Sequence, residues 1–308
     1  MQRASLTLAA PDGVALFVHS WRPETPVRGV VQIVHGMAEH GARYERLAAA
    51  LIEAGYAVYA GDVRGHGQTA RTAEDLGVFA ARDGWGKCLD DIWQVNRRIA
   101  ADHPNTPIVL LGHSMGSFLA QHLIGVYGDH LAGAVLSGTS GKPSALAVAG
   151  RLIARLERLR RGPRGRSALL QSLAFDGFNK QFAPARTAFD WLSRDVGEVD
   201  KYIADPLCGF PVAIQLWIDV LDGLGAATSA RHQARIPKRL PIYVISGSRD
   251  PVGGNTRSVV QLLAAYRHAG LDRVAHRFYV DARHELFNET NRDEVTRDLI
   301  AWLAAVAA

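Results

Sequence analysis

Cysteine is scarce in this sequence. The 308-residue chain has two cysteines, Cys88 and Cys208, and neither belongs to a CxxC pair or to any zinc-binding spacing. Two cysteines cannot build the disulfide framework of a small secreted domain. We therefore expect both thiols to be free and buried, and we expect neither a metal nor a cofactor.

Long apolar runs are also missing. No run approaches the roughly 18 residues that a transmembrane helix needs, and the first eleven residues contain no apolar core of a signal peptide. Hydrophobic residues make up 48% of the chain and charged residues 21%, which is close to the average of globular proteins and excludes a disordered chain. The composition predicts a globular, cytoplasmic protein with an ample core.

Lysine is rare, and the positive charge of the chain comes from arginine. Five lysines accompany 30 arginines, and the net charge is +5. Seven of those arginines lie between positions 151 and 166, where one glutamate opposes them. They are Arg151, Arg155, Arg158, Arg160, Arg161, Arg164 and Arg166. The excess of positive charge is therefore local. No aromatic residues alternate with these arginines and no recognition motif is present, so the charge does not indicate nucleic acid as a partner.

Apolar segments of strand type alternate with segments of helical periodicity along most of the chain. Pro11-Asp12-Gly13 is a turn signal between two alternating segments, which predicts an N-terminal hairpin of 5–8 and 14–21. Six further strands are predicted at 29–34, 56–60, 108–111, 131–136, 240–245 and 274–280. Helices are predicted at 44–54, 85–101, 115–127, 256–269 and 292–306. This order predicts an α/β protein with an eight-stranded, mostly parallel sheet and helices on both faces.

The alternation stops between residues 141 and 238, where the sequence has helical patterns and no convincing strand. A structureless loop of that length is uncommon in a compact domain. We therefore expect an inserted helical cap at 141–238 over a catalytic core formed by 1–140 and 239–308.

The pattern Gly112-His113-Ser114-Met115-Gly116 lies between a predicted strand and a predicted helix. A serine on such a sharp turn holds its hydroxyl in the open, and the strained backbone needs neighbours without side chains. We therefore predict that Ser114 is a nucleophile rather than part of an ordinary glycine-rich turn.

A serine nucleophile needs a base and an orienting acid, which in this arrangement follow it in the order acid, then histidine. Asp250 follows the predicted strand 240–245, and His284 follows the predicted strand 274–280. Because the carboxyl ends of parallel strands form the site in open α/β sheets, we expect both beside Ser114. Asp281 is too near His284 in sequence to reach its Nδ1 and is interpreted as a loop or capping residue.

Two backbone N–H groups are expected to form an oxyanion hole. One follows the nucleophile, at Met115, and the other is expected at Met37, in the loop after the strand 29–34. A zinc site of His35, His40 and His66 is the alternative use of this region, but the spacing matches no metal motif. In the next glycine-rich loop, 62–69, we expect Asp62 and Arg64 to form a salt bridge.

Together, these motifs resemble the α/β-hydrolase superfamily and, within it, the monoacylglycerol lipase and bacterial lysophospholipase family. The motifs that carry the resemblance are HGMAEHGARY at 35–44, DVRGHGQT at 62–69, GHSMG at 112–116, GSRDPV at 247–252 and ARHELFNE at 282–289. The resemblance implies the α/β-hydrolase fold, with Ser114 as nucleophile, Asp250 as acid and His284 as base. It also implies a glycerol-ester or lysophospholipid type of substrate with one acyl chain.

The sequence therefore predicts a serine hydrolase that cleaves carboxylic esters of an apolar acyl chain through an acyl-enzyme. An acyltransferase, a thioesterase or a peptidase could use the same three residues, and a non-catalytic protein at a membrane surface is a further alternative. The arginines of 151–166 alternate with leucines at helical spacing. We expect the apolar side of this helix to cover the core of the cap, with peripheral contact to an anionic membrane as the alternative.

Overall fold

The computed structural model describes residues 2–175 and 177–306, and it contains a single eight-stranded sheet. The strands are β1 (Gln2–Ala9), β2 (Ala15–Arg22), β3 (Gly29–Val34), β4 (Tyr56–Gly61), β5 (Ile108–His113), β6 (Gly133–Ser137), β7 (Ile242–Gly247) and β8 (Val274–Tyr279). Their order across the sheet is β1-β2-β4-β3-β5-β6-β7-β8. The pairs of β1 with β2 and β2 with β4 are antiparallel, and all other pairs are parallel. The expected mostly parallel sheet is confirmed.

Ten α-helices connect and flank the strands in the described residues. They are α1 (Glu45–Glu53), α2 (Gly84–Asp102), α3 (Met115–Tyr127), α4 (Ala145–Arg161), α5 (Ala168–Phe175), α6 (Val196–Ala204), α7 (Ile214–Ala227), α8 (Ala230–Gln233), α9 (Arg257–His268) and α10 (Arg292–Val306). None of the helices in the described part of the chain is long and apolar enough to cross a bilayer.

The two faces of the sheet carry separate apolar cores, because successive side chains of a strand point to opposite faces. Val30 of β3 packs into the core that α2, α3 and α9 cover, whereas Val31 packs into the core under α1 and α10. All six residues of β3 and of β5 are buried, as is usual for central parallel strands.

The segment 141–238, called the cap segment below, lies between β6 and β7 and contains α4 to α8. Its described residues form no strand, and one isolated bridge joins Arg166 to Ala213. The helix α7 packs into the same core as α2, α3 and α9, through Leu216, Val220 and Leu224. The helices α4 and α5 instead meet α7 in a small separate cluster of Ala154, Leu170, Ile214 and Ile218.

Some sequence-based boundaries were wrong by two residues. The strand β7 begins at Ile242 rather than at 240, because Pro241 has no N–H to donate to a neighbouring strand. The strand β6 begins at Gly133 rather than at 131, because the N–H of Leu131 closes a preceding 3₁₀ turn on Gly128.

The expected salt bridge between Asp62 and Arg64 was also wrong. Arg64 instead forms a buried, bidentate pair with Asp91, at 2.7 and 2.8 Å. The two oxygens of Asp62 accept the backbone N–H groups of Gly41 and Gln68, each at 2.7 Å. Both side chains therefore fix loops beside the sheet, but through different partners.

The largest correction concerns α4. We expected its apolar side to cover the core of the cap, yet Leu152, Leu156 and Leu159 are 55%, 67% and 84% exposed. The opposite side of the helix, at Ala154 and Ile153, packs into the cluster shared with α5 and α7. The exposed leucines leave an apolar stripe on the outer surface of the cap segment.

Both cysteines are free and buried, as expected.

Candidate active site

Ser114 occupies the turn between β5 and α3 and has a strained backbone, with φ 52° and ψ −122°. A positive φ is rare for a residue with a side chain and is typically held by its surroundings at functional sites. The Ser114 N–H donates to the Ser137 carbonyl on the neighbouring strand at 2.9 Å, which fixes the turn. The Ser114 side chain remains partly exposed.

The two glycines of the turn are required by close backbone contacts. A Cβ at Gly112 would lie 2.4 Å from the Gly116 carbonyl oxygen, and a Cβ at Gly116 would lie 2.1 Å from that of Val34. Neither space can hold a methyl group. The strand and the helix therefore approach each other only because both positions lack a side chain.

Asp250 and His284 meet at the carboxyl edge of the sheet, after β7 and β8. The Nδ1 atom of His284 lies 3.0 Å from each carboxylate oxygen of Asp250. Asp250 is fully buried, and its Oδ1 also accepts the Val252 N–H at 2.9 Å. This geometry fixes the orientation of the imidazole, with its Nε2 on the opposite side from the acid.

The surroundings of His284 favour its protonation. Burial opposes the imidazolium form, but the facing Asp250 carboxylate outweighs it and raises the pKa of His284. The ring of Trp191, from the cap segment, lies 5.1 Å from the His284 ring, and the ring of His113 lies 4.7 Å away on another side. Burial lowers the pKa of His113 to about 4, so this neighbour is neutral.

One cavity of about 170 Å³ brings the predicted site residues together. Ser114 and His284 line it, and so do Met37 and Met115, the two positions predicted for the oxyanion hole. Asp250 lies behind His284 and does not line the cavity. The rest of the wall is mainly apolar and comes largely from the cap segment, including Phe175, Phe178, Phe189, Trp191, Phe210 and Trp217.

The loop that carries Met37 is held by a buried ion network that sequence reasoning did not predict. Arg43 donates to Glu39 at 2.7 Å and forms a bidentate pair with Glu285, also at 2.7 Å. The other oxygen of Glu39 accepts the Gly36 N–H at 2.5 Å. Burial alone would raise the pKa of Glu39, but Arg43 and other neighbours lower it to about 2.

Half of this network had a signal in the sequence. Glu39 and Arg43 stand four residues apart, the spacing of an ion pair on one turn of helix. Glu285, next to the predicted base, lies 242 positions further along the chain from Arg43, and no local pattern joins them.

The three histidines weighed as a zinc site do not form one. His35 uses both ring nitrogens, since Nδ1–H donates to the Gly36 carbonyl at 2.8 Å and Nε2 accepts the Val63 N–H at 2.9 Å. Burial lowers the pKa of His66 to about 3. Nε2 of His40 pairs with Asp205 of the cap segment at 2.8 Å.

A larger cavity of about 770 Å³ adjoins the first one, and both are lined by Phe118, Phe178, Trp217, Leu221, Leu224 and Val252. It is lined by residues of α4, α5 and α9, and its polar lining includes Lys142, Arg257 and Gln261. The combined space has the size and the apolar lining of a ligand pocket.

Residues 25–291 match the family Hydrolase_4, described as serine aminopeptidase, S33. Among curated proteins, the chain is 29% identical to a monoacylglycerol lipase of Mycolicibacterium smegmatis, over 98% of each chain. It is 26% identical to a monoglyceride lipase of Homo sapiens, over 92% of this chain and 88% of that one.

Among solved structures, the chain is similar to a highly thermostable carboxyl esterase from Bacillus coagulans in complex with glycerol. The two are 26% identical, each is covered over its full length, and the TM-score is 0.92. This likeness extends over the core and the cap segment alike.

Proposed function

The chain belongs to the α/β-hydrolase family described as serine aminopeptidase, S33. On this premise we propose that Ser114, His284 and Asp250 form its catalytic triad. The protein is a carboxylic-ester hydrolase, in line with its monoacylglycerol lipase and carboxyl esterase relatives. The observation that carries the triad is the strained Ser114 turn in the same cavity as His284, whose Nδ1 is held by Asp250.

In the proposed reaction, the Ser114 hydroxyl attacks the acyl carbonyl while Nε2 of His284 takes its proton. Asp250 keeps the imidazole in the required tautomer and stabilises its cation. The N–H groups of Met37 and Met115 donate to the oxyanion; one such donor is typically worth about 2.7–4 kcal/mol of barrier. The leaving alcohol takes the proton from His284, and a water activated by His284 then releases the acid and regenerates Ser114.

We infer that the substrate is an ester with a single apolar acyl chain, such as a monoacylglycerol. The cavity around Ser114 holds about 170 Å³ and adjoins the apolar cavity of about 770 Å³ beneath α4 and α5. An acyl chain that reacts at Ser114 can continue into that space, with the cap segment as a lid over the core. A lysophospholipid would use the same acyl site, and an acyltransferase or a peptidase would differ in the group that accepts or leaves. The cytoplasmic location stays a prediction.

The test of this proposal is Ser114→Ala, which should lower kcat for ester hydrolysis by about 10⁶-fold, the scale reported for loss of a triad serine. It should also abolish labelling by a fluorophosphonate probe and leave the thermal midpoint near that of the wild type. Ser5→Ala, at an exposed position of β1, is the matched control and should react normally.

Labelling that persists in Ser114→Ala would refute the nucleophile. With the wild type, a panel of monoacylglycerols, lysophospholipids, thioesters and aminoacyl amides ranked by kcat/KM separates the substrate classes. A preference for amides would replace the ester proposal with a peptidase.

A second proposal is that α4 contacts an anionic membrane surface. Val148, Leu152, Leu156 and Leu159 are exposed and lie at helical spacing on one side. Asp222 pairs with two arginines of α4 and Glu157 with two others, so the five arginines of this helix exceed these two carboxylates by three charges. Exposed apolar side chains beside cationic ones are typical of interfacial helices. Binding to anionic vesicles should weaken as salt is raised and be absent on neutral vesicles. Failure to bind anionic vesicles at low salt would refute this contact.

A further inference from the structure

Outside the proposed catalytic residues, the fold brings together His40, Asp205 and Cys208. Nε2 of His40 lies 2.8 Å from Oδ2 of Asp205, and the ligand atoms of all three side chains lie within 4.8 Å of one another. His40 belongs to the loop that carries Met37, whereas Asp205 and Cys208 belong to the cap segment. The cluster therefore spans two parts of the molecule.

One turn presets the two cap residues. Asp205 follows the end of α6, and its carbonyl accepts the Cys208 N–H at 3.0 Å. Its Oδ1 accepts the Leu207 N–H at 2.8 Å, which leaves Oδ2 directed at His40. The Asp205 carboxylate and the backbone of Cys208 are thus held in place before any ligand arrives, and binding would order little additional backbone.

We propose that His40, Asp205 and Cys208 form a zinc site that joins the Met37 loop to the cap segment. Imidazole, carboxylate and thiolate are the three ligand types that Zn²⁺ prefers in proteins. Bonds of about 2.0–2.3 Å in a tetrahedral arrangement place ligand atoms roughly 3.3–3.7 Å apart, so small shifts of these side chains suffice. On binding, the Cys208 thiol releases its proton to solvent, and the metal replaces the hydrogen bond between His40 and Asp205.

The surroundings leave room for a fourth ligand and for the charge of the ion. The Asp205 side chain is 32% exposed, so water can complete the tetrahedron from that side. The nearest cation, Arg43, is already paired with Glu39 and Glu285, each at 2.7 Å. The three carboxylates of Asp205, Glu39 and Glu285 outnumber this one guanidinium, so the positive charge of the ion meets surroundings of net negative charge.

The site would strengthen an existing connection. The Gly209 N–H and the Tyr202 hydroxyl both donate to the Ala38 carbonyl at 2.9 Å, so the cap segment already contacts the residue after Met37. Zinc would add coordinate bonds two residues further along the same loop. Because it binds the folded form, its addition should raise the thermal midpoint.

The experiment is a titration of the intact protein with Co²⁺ and then with Zn²⁺ as competitor. We expect one Co²⁺ per chain with a sulfur-to-metal charge-transfer band that Zn²⁺ displaces, and a thermal midpoint that rises with Zn²⁺. Cys208→Ser should abolish the band and, like His40→Gln, should weaken Zn²⁺ binding by more than about 10-fold. Cys88→Ser, which removes the other buried thiol, is the control. It should keep the charge-transfer band and the Zn²⁺ affinity of the wild type.

A measurement on the unmodified protein avoids dependence on the folding of variants. Zn²⁺ should slow the alkylation of Cys208 in the native state, and a chelator should restore it. A wild type that binds no Zn²⁺ at micromolar concentration, or a Cys208→Ser variant with an unchanged band, would overturn the site and leave a plain hydrogen bond. Fluorophosphonate labelling of Ser114 does not depend on either result.

Discussion

The helices α10 and α4 are both amphipathic and similar in length, with 15 and 17 residues. They differ in the exposure of their leucine side chains. In α10, Leu299 and Leu303 are fully buried against the sheet. In α4, Leu156 and Leu159 are 67% and 84% exposed. The leucines of α10 are closed off from water by the sheet, whereas these leucines of α4 lie open on the surface of the cap segment.

This difference indicates different tasks for the two regions. Burial of α10 stabilises the sheet that carries Asp250 and His284. The exposed stripe of α4 contributes nothing to that stability and costs solvation free energy in water, as expected of a surface that binds something apolar. Substitutions should therefore affect chemistry and stability in the core, and binding in the cap.

After the loss of Ser114, the largest effect in the core is expected at its proposed acid, Asp250. Asp250→Asn should lower kcat by about 10⁴-fold, because the imidazole loses the partner that fixes its tautomer. The base is active only when neutral, so kcat/KM of the wild type should fall as the pH drops through the raised pKa of His284. In the variant that fall should move to lower pH.

The control for this substitution is Asp281→Asn, at an exposed acid three residues before His284. It should keep the kcat and the pH profile of the wild type, measured as kcat/KM against pH. Equal losses in the two variants would contradict a specific role of Asp250.

A smaller but still large effect is expected in the buried ion network that holds the loop carrying Met37. Arg43→Met leaves the buried carboxylates of Glu39 and Glu285 without their cation and should cost about 3–5 kcal/mol of unfolding free energy. The pKa of Glu39 is lowered to about 2. The contribution of its carboxylate to the free energy of unfolding is therefore complete above the ordinary pKa of 4.5 and is lost as the pH falls toward 2.

Urea unfolding at a series of pH values checks this prediction, and the variant should lose less stability than the wild type over that range. Arg3→Met removes an exposed pair with Glu45 and should change the unfolding free energy by less than about 1 kcal/mol. A similar cost for both substitutions would show that burial of the Arg43 network does not matter.

The smallest effect on stability is expected in α4. It is compared directly with the effect of the same type of substitution in α10. Leu299→Ala should cost about 2–5 kcal/mol of unfolding free energy, whereas Leu156→Ala should stay within about 0.5 kcal/mol. In vesicle sedimentation the order should reverse, with weaker binding only for Leu156→Ala. Equal stability losses would mean that the exposed stripe is packed in solution.

The sequence predicted the sheet and the proposed site because both depend on local order. Each proposed catalytic residue follows a strand of the parallel part of the sheet, and parallel strands bring their carboxyl ends to one edge. The glycines on either side of Ser114 likewise predict the sharp turn from a short stretch of sequence. For this reason Ser114, Asp250 and His284 could be named, although 136 positions separate Ser114 from Asp250.

Features that depend on distant contacts could not be read from the sequence. The pair of Arg43 with Glu285 and the pair of His40 with Asp205 each join residues more than 100 positions apart. The outward direction of α4 was missed for a related reason. Its periodicity marks an apolar side, but only the packing of Ala154 against α7 determines which side faces inward.

The helix α7 holds the cap segment to the core. Leu216, Val220 and Leu224 pack into the core that α2, α3 and α9 cover, whereas α4 and α5 add Ala154 and Leu170 to a small cluster with Ile214 and Ile218 of α7. Separation of α4 and α5 from α7 exposes far less apolar area than removal of the whole cap segment. We therefore expect α4 and α5 to separate from α7 at a smaller cost in free energy than the whole cap segment would need to leave the core, with the pairs of Arg151 and Arg155 with Asp222 opposing that separation.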